Sequence, residues 1–441
     1  MPFIYIKKNT YKKVFIDIPS FLTVLIPFFL ITGPFLSDLA ISVCSIIFLI
    51  NSFFTSLKKY FLSKFFLFFL IFWFTLILSS LLSNDKIYSL NTSVLYIRFG
   101  IFSLSTWFLL VHNKMLIKYF FYVFLFCFFI LIFDGYLQFF TSLNIFGWKI
   151  VGTRVSSFFK EELILGSYIS RLIPLFFAIF IYLKKNNFNK TYKTSATITT
   201  TATILIFILL EVLIFLSGER VAFFYLNLSA IFCIFLFSEY KITRSFVLTA
   251  SFLLIILISK FYPEYKERIF DRTQKQIFNT TETQTNILKN KQFNIFSIEH
   301  ENHYKSAILM FKEYKILGIG TKLFRKNCNE KKFRVSAESC STHPHNTYIQ
   351  LLAETGIIGF FQVFTIFLIL IYFSIKHFLL KFKKKRALFD DFQIAILSTF
   401  LITLWPLGPT GNFFGNWINV IYYLPVGFLI FSLDRKKFKI T

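Results

Sequence analysis

Long apolar runs dominate the chain, and most approach the roughly 20 residues that a helix needs to cross a bilayer. We place them at 14–36, 37–57, 61–82, 93–111, 116–140, 162–183, 199–216, 219–237, 243–261, 347–375, 388–407 and 413–433. These runs do not alternate polar and apolar residues as the strands of a membrane barrel do. Because backbone in lipid must satisfy its own hydrogen bonds, the pattern predicts about twelve transmembrane helices.

Composition agrees with a membrane protein rather than a soluble domain. The chain has 441 residues, of which 56% are hydrophobic, and its mean hydropathy is +0.64. A soluble domain of this length would interrupt its apolar runs every few residues. Phenylalanine is very abundant, at 67 residues. Together with the frequent lysine, asparagine and isoleucine, it indicates AT-rich codon usage and says little about function.

Basic residues exceed acidic ones by 48 to 22, which gives a net charge of +26. Such an excess suits a nucleic-acid-binding surface, but positive charge concentrated in cytoplasmic loops produces it as well. If both termini are cytoplasmic, the inside segments are lysine-rich, and the short outside loops hold few basic residues: Lys86, Lys149, Arg154, Lys160 and Arg220. This asymmetry predicts an N-in, C-in topology and no nucleic-acid partner.

One long extramembrane stretch, residues 262–346, separates nine predicted helices in residues 1–261 from three in residues 347–441. The topology places this loop outside. Within residues 300–314, apolar side chains recur at three- and four-residue spacing: Tyr304, Ala307, Ile308 and Phe311. This spacing predicts an amphipathic helix. We therefore expect an all-α polytopic protein of the bacterial inner membrane, with one large periplasmic loop that contains short helices.

Two of the five cysteines, Cys328 and Cys340, lie in this loop. An oxidising periplasm would let them form a disulfide, and closing so short a loop would stabilise the fold by roughly 3 kcal/mol. Two free thiols are the alternative. A metal site that combines them with His343 or His345 would not match a usual zinc spacing, so we expect no metal.

Four arginines lie near the outer ends of predicted spans, where positive charge is disfavoured. They are Arg98 in the fourth span, Arg154 before the sixth, Arg171 within the sixth, and Arg220 in the turn after the seventh. One explanation is structural pairing with a glutamate such as Glu219, or with a lipid phosphate. The other is anion binding, because guanidinium groups match phosphate oxygens in pairs. For Arg154 and Arg220 together, we favour anion binding.

A second polar cluster lies where the loop re-enters the membrane. It consists of His343, His345 and Asn346, and Glu354 lies further along the predicted helix that follows. An imidazole at this position can be neutral near pH 7 and accept a proton. Asn346 can cap the helix that follows it. A lone interfacial histidine usually serves only as a hydrogen-bonding residue. A histidine that lies opposite several arginines at the membrane surface is a better candidate for a general base.

These motifs resemble the O-antigen ligase and O-antigen polymerase superfamily of bacterial membrane glycosyltransferases. The spacing of the ligase signature is matched here. His345-Asn346 is followed, after nine residues, by Gly356 and, after two more, by Gly359. Three upstream segments resemble further family motifs: residues 154–168, residues 217–222 and residues 316–324. Together they cover about residues 150–375. Glu219 departs from the small or polar residue that the family pattern leads us to expect.

The resemblance implies a glycan donor on undecaprenyl diphosphate and an acceptor hydroxyl, such as that of lipid A-core, at the periplasmic face. We hypothesise that arginines bind the diphosphate: Arg154 and Arg220, with Arg98 and Arg171 as further candidates. His345 would act as general base in one inverting step that needs no metal or cofactor. Supporting roles would fall to His343, Asn346 and Glu354.

Other functions stay open at this point. A repeat-unit polymerase would use a similar fold and similar arginines, although the signature and the single late loop favour a ligase. A relative that attaches glycans to protein is a further alternative. A twelve-helix transporter should carry ionisable residues deep in several spans and two pseudo-symmetric halves. Asp134 and Glu211 are the few acidic candidates, near span ends. A purely structural membrane subunit is the least favoured function.

Overall fold

The computed structural model describes residues 8–186, 193–278, 296–384 and 387–438, and this part of the chain is mostly helical. Its long helices are α1 (Asn9–Val24), α2 (Ile26–Thr32), α3 (Pro34–Asn51), α4 (Lys64–Leu81), α5 (Lys86–His112), α6 (Leu116–Thr141), α7 (Leu165–Lys185), α8 (Lys193–Leu216), α9 (Arg220–Leu236), α10 (Lys241–Phe261), α11 (Ile298–Glu313), α12 (Thr347–Phe382), α13 (Asp391–Thr403) and α14 (Asn416–Phe438). Short helical segments lie between them: Lys58–Phe61, Ser157–Glu162, Pro263–Lys266, Glu267–Asp271, Arg272–Phe278 and Phe324–Asn327.

Within the described residues, eight helices are long and apolar enough to cross a membrane, namely α3 to α7, α10, α12 and α14. The pair α1 and α2, bent by 47°, would add a ninth span. Three other predicted spans correspond to shorter apolar helices, Thr200–Leu216, Arg220–Leu236 and Asp391–Thr403. The chain is therefore a multi-pass membrane protein. The count of twelve spans and the placement of the termini stay predictions.

Helix α7 lies at the centre of the bundle, where it contacts α6, α8, α9 and α13. Nearly all of its residues from Leu165 to Ile181 are buried. Burial on every face is expected only of a helix that other helices surround. Aromatic rings fill the space around it, and Phe176 of α7 stacks on Phe121 of α6 at a centroid distance of 5.5 Å. The N-terminal turns of α7 therefore carry their polar side chains into the interior.

Helix α12 is broken at Gly356, which has a φ of +64° and a non-helical ψ of −165°. At the break, the loop before the short helix Phe324–Asn327 pairs with α12, and the Gly320 N–H donates to the Glu354 carbonyl at 3.0 Å. A Cβ at Gly356 would overlap the Ile316 carbonyl, and one at Gly318 would overlap the Glu354 backbone. Glycines at these positions thus let two backbone segments meet directly.

The predicted amphipathic helix of the loop is confirmed as α11. Ser297 caps its N-terminus by accepting a hydrogen bond from the His300 N–H at 3.4 Å. Its buried face, which contacts α12, is more polar than the sequence pattern suggests: His303, Tyr304, Ser306, Ala307 and Met310. Further along the same loop, Cys328 and Cys340 form a disulfide with their Cα atoms 5.1 Å apart. These contacts fix the loop against the membrane helices.

Candidate active site

Two arginines flank the turn that joins α8 to α9. Arg154 donates from Nε to the Ser217 carbonyl at 3.2 Å and from Nη2 to the Leu163 carbonyl at 3.0 Å. Arg268 donates from Nε to the Gly218 carbonyl at 3.0 Å. Gly218 has a φ of +64°, and a Cβ there would lie only 2.7 Å from Nε of Arg268 and 3.0 Å from Cγ of Arg154. The glycine leaves room for both side chains.

Two more arginines complete what we call the arginine cluster: Arg154, Arg220, Arg268 and Arg272. Arg220 begins α9, is exposed, and donates from Nη1 to the Gln276 Oε1 atom at 2.8 Å. Burial, followed by repulsion from the other three arginines, lowers the pKa of Arg268. Such mutual repulsion indicates that these cations lie close together, in an arrangement that an anion would stabilise.

Glu219 lies next to this cluster but is engaged elsewhere. Its carboxylate accepts hydrogen bonds from the Gly166 N–H at 2.6 Å, from the Ser167 N–H at 3.0 Å and from the Ser167 hydroxyl at 2.6 Å. These groups form the N-terminus of α7, where the helix dipole favours a negative charge. Glu219 therefore caps α7 instead of pairing with Arg220. This contact gives Glu219 a structural role, while its charge still acts on Arg154 and Arg268 and offsets part of the positive charge of the cluster.

His345 lies among three further histidines, and together they form the histidine cluster. Its ring centroid is 4.0 Å from that of His343, 5.3 Å from His300 and 5.4 Å from His303. Its backbone adopts a positive φ of 60°, and Nε2 lies 3.0 Å from the Ser341 hydroxyl. Burial, followed by the neighbouring imidazoles, lowers the pKa of His345 to about 3. The ring is therefore neutral at pH 7.

His343 and Asn346 hold this segment in place. Nε2 of His343 lies 3.1 Å from the Thr410 carbonyl, so it donates there, and Nδ1 lies 2.9 Å from the Thr342 hydroxyl. Burial lowers the pKa of His343 to about 4. The predicted cap is confirmed, because the Asn346 Oδ1 atom accepts hydrogen bonds from the first turn of α12. Its Nδ2 donates to the Pro406 carbonyl at 2.8 Å.

The arginine and histidine clusters lie side by side. Burial is the main cause that lowers the pKa of His300, but the positive charges of His303 and Arg220 lower it further. His300 thus connects His345 to the arginines. Among the described residues, no group of three or more His, Cys, Asp or Glu side chains is arranged to hold a metal ion.

Three other residues singled out in the sequence lie apart from these clusters. Arg98 donates from Nη2 to Asp38 at 2.6 Å, beside a separate cavity of about 350 Å³. Glu354 accepts hydrogen bonds from the Gln350 side chain and the Phe324 N–H, both at 3.0 Å, and so joins α12 to the loop. Arg171 is buried inside the bundle. None of the three contacts the side chain of His345 within the described residues.

Sequence reasoning missed Arg268, Arg272, His300 and His303. A signal was present, because each pair recurs at helical spacing, with the arginines four residues apart and the histidines three apart. Residues at these spacings share a helix face. The signal had little weight because nothing in the sequence places either loop segment against the turn between α8 and α9.

Together, these features define a multi-pass membrane protein in which a cluster of arginines lies near a group of histidines that includes the neutral His345. Residues 202–364, which include Arg220, Arg268 and His345, match the family model described as O-Antigen ligase. The chain therefore carries an O-antigen ligase family domain, and members of this family transfer lipid-linked glycans. The resemblance inferred from the motifs is confirmed. No curated protein matches the chain.

Proposed function

We propose that this protein is an O-antigen ligase that moves a glycan from undecaprenyl diphosphate to an acceptor hydroxyl, such as that of lipid A-core. The reaction would take place at the periplasmic face of the inner membrane. The observation that carries the proposal is the cluster of four arginines, of which Arg220 acts electrostatically on His300, a direct neighbour of His345. A lipid diphosphate supplies the matching negative charge.

The arginine cluster would bind the diphosphate and stabilise it as a leaving group. Arg268 uses only Nε for the Gly218 carbonyl, and within the described residues its terminal nitrogens have no hydrogen-bond partner. Guanidinium groups bind phosphate oxygens in pairs, and fixed donors stabilise charge that develops in the transition state. Arg154 is held by two backbone carbonyls and supplies a fixed positive charge at the same turn.

His345 would take the proton of the acceptor hydroxyl. The acceptor oxygen forms a bond to the anomeric carbon while the bond from that carbon to the diphosphate oxygen breaks, which inverts the configuration. A base with a pKa of about 3 is weak in the empty site. The negative diphosphate, bound nearby, raises the pKa of His345. The base therefore becomes effective only when the donor is in place.

A transfer assay tests this assignment. Purified protein in lipid nanodiscs receives a lipid diphosphate glycan and lipid A-core, and the product is measured. We expect His345→Ala to lower the rate by about 10²–10⁴-fold, the range typical of a lost general base. Arg220→Ala should weaken donor binding. Lys305→Gln, on the exposed side of α11, should change neither. Unchanged transfer by His345→Ala would rule out His345 as the general base. Unchanged donor affinity of Arg220→Ala would rule out a role of Arg220 in binding the diphosphate.

The polymerase alternative needs the same donor chemistry and is separated by the acceptor, since a polymerase would elongate a second lipid-linked repeat. The transporter alternative is weakened by the surroundings of its two acidic candidates. Asp134 accepts hydrogen bonds from the Ile145 N–H at 2.8 Å and from the Ser157 hydroxyl at 2.6 Å. Glu211 forms a buried ion pair with Arg244. Both carboxylates thus have structural partners, and a flux assay in vesicles tests the alternative directly.

A further inference from the structure

Arg171 is a buried cation with unused hydrogen-bond donors. It lies in the second turn of α7, its residue is only 4% exposed, and neither Nε nor Nη1 has a hydrogen-bond partner among the residues that the structure describes. Within the described residues, no carboxylate forms an ion pair with it. Its guanidinium lies over the Tyr225 ring, 5.1 Å from the centroid. A cation–π contact offsets only part of the cost of burying an unpaired charge.

Arg171 lines a cavity of about 1610 Å³. One part of the wall is apolar and includes Phe28, Ile31 and Trp417, while another part is polar and includes Ser167 and Asn416. A wall of this mixed kind suits an amphiphile, whose polar headgroup and apolar chain require different surroundings. The unpaired guanidinium lies where the headgroup of such a molecule could reach it.

This cavity is separate from the arginine cluster, none of whose members lines it. Its wall does include Gly411 and Asn412, which follow Thr410 directly. Thr410 donates from its N–H to the His345 carbonyl at 2.8 Å and accepts from His343. The cavity therefore adjoins the segment that holds the histidine cluster, while the donor diphosphate would bind elsewhere.

The charges around the cavity favour an anion at its buried end. The other charged side chains in the wall are Lys149, Lys160, Glu161 and Glu162. Both glutamates are exposed to solvent, so their charges are largely screened. Lys160 lies over the Trp148 ring at 4.0 Å. Arg171 is therefore the buried charge that lines the cavity, and it is positive.

We propose that this cavity is a second anion subsite, anchored by Arg171, that binds an anionic group of the acceptor. A phosphate or a carboxylate can accept a hydrogen bond from a guanidinium nitrogen that has no partner in the protein. The assignment to the acceptor rests on the proposed function, whereas the existence of an anion subsite does not. Two anionic groups, one on each substrate, would thus be held at two separate sites.

Binding tests the subsite without any transfer reaction. The probe is a phosphorylated lipid A-type glycolipid, compared with its enzymatically dephosphorylated form, on the protein in nanodiscs. We expect the unaltered protein to prefer the phosphorylated form by about 10-fold or more. Arg171→Gln should abolish this preference, and Arg171→Lys should keep part of it. Arg220→Gln and the exposed control Lys312→Gln should keep all of it. Equal preference in Arg171→Gln and the unaltered protein would overturn the proposal.

Two further measurements make the result interpretable. Arg171→Gln should unfold at the same or a higher temperature, because it removes an unpaired buried charge. If it does not fold, the milder Arg171→Lys decides, and an unchanged preference in that variant overturns the proposal. A glycolipid that carries a uronic acid in place of phosphate identifies the source of the anion. If binding of one of the two glycolipids depends on Arg171, the result supports the subsite and identifies its anionic group. If binding of neither glycolipid depends on Arg171, the proposal is overturned.

Kinetics test the assignment to the acceptor. Arg171→Gln should raise KM for the acceptor, measured at saturating donor, by about 10-fold or more, and it should leave KM for the donor, measured at saturating acceptor, unchanged. A rise confined to the donor KM would place Arg171 in the donor site and overturn the assignment. If the unaltered protein transfers no glycan at all, the proposed function fails, while the binding measurement still decides whether the anion subsite exists.

Discussion

The imidazole rings of His343 and His345 lie 4.0 Å apart at their centroids, yet their surroundings differ. Both nitrogens of His343 face fixed partners, the Thr410 carbonyl and the Thr342 hydroxyl. Among the described residues, the side chain of His345 has a single hydrogen-bond partner, Ser341. Both ring nitrogens of His343 are therefore engaged, while His345 keeps one ring nitrogen without a partner among the described residues.

This difference predicts opposite outcomes for the same substitution. His343→Gln retains an amide that can donate to Thr410, so we expect a lower unfolding temperature and transfer within several-fold of the unaltered rate. His345→Gln removes the base, and we expect a loss of about 100-fold or more in kcat. Transfer kinetics measure kcat of both variants, and thermal unfolding in nanodiscs measures their stability. Equal losses of kcat in the two variants would contradict separate roles.

The pH dependence should reveal how the histidine cluster affects the base. Burial and three neighbouring imidazoles lower the pKa of His345, so the acid limb of kcat/KM should lie well below pH 6.5. Bound diphosphate raises that pKa, so the acid limb of kcat should lie at higher pH than that of kcat/KM. Initial rates between pH 3.5 and 8 test both statements.

His300→Ala provides the matched variant. Removing His300 takes away one of the groups that lower the pKa of His345, so the acid limb of kcat/KM should move to higher pH. Lys312→Gln, on the exposed face of the same helix, is the control and should leave the profile unchanged. A shift to lower pH in His300→Ala would contradict the electrostatic role of the cluster.

Stability should fall in acid for the same reason. The folded-state pKa values of His343 and His345 are about 4 and about 3, below the ordinary value of 6.5. Between those values the unfolded chain binds more protons than the folded one, so the free energy of unfolding decreases as pH falls below 6.5. Denaturation midpoints from pH 7 to pH 4 measure the slope. Replacing both histidines with glutamine should make the slope shallower.

A glycine series separates backbone strain from crowding. Gly356→Ala meets both a φ of +64° and overlap with the Ile316 carbonyl, so we expect severe destabilisation or failure to fold. Gly147→Ala has a φ of +78° but open space, and should cost about 1 kcal/mol. Gly411→Ala, with open space and no positive φ, should be nearly neutral. Thermal unfolding ranks the three, and equal stability of the first two would contradict the role of crowding.

The loop disulfide should contribute measurably to stability. Cys328→Ser with Cys340→Ser opens a loop of sequence separation 12, which should lower the free energy of unfolding by roughly 3 kcal/mol in the chain-entropy account. A reductant should destabilise the unaltered protein in the same direction and leave the double variant unaffected. A double variant as stable as the unaltered protein would show that the bond adds little.

The sequence by itself determined the class of protein. Runs of apolar residues near the length of a bilayer dictate membrane helices, because lipid offers the backbone no hydrogen-bond partners. The spacing from His345 to Gly356 and Gly359 indicated the family, and the periodicity around Tyr304 indicated the loop helix. Each of these signals is local, since it depends on neighbours along the chain. That is why one sequence was enough to read them.

Only the tertiary structure decided which polar residues act together. The sequence offered Arg98 and Arg171 as further candidates after Arg154 and Arg220, but the fold pairs Arg98 with Asp38 and buries Arg171 against a separate cavity. The fold also brings Arg268 into the arginine cluster and His300 into the histidine cluster, from a loop whose position the sequence did not predict. Charge interactions depend on distance through space and on burial, and neither quantity is encoded in local spacing. The packing of α7, α11 and α12 therefore determines the site.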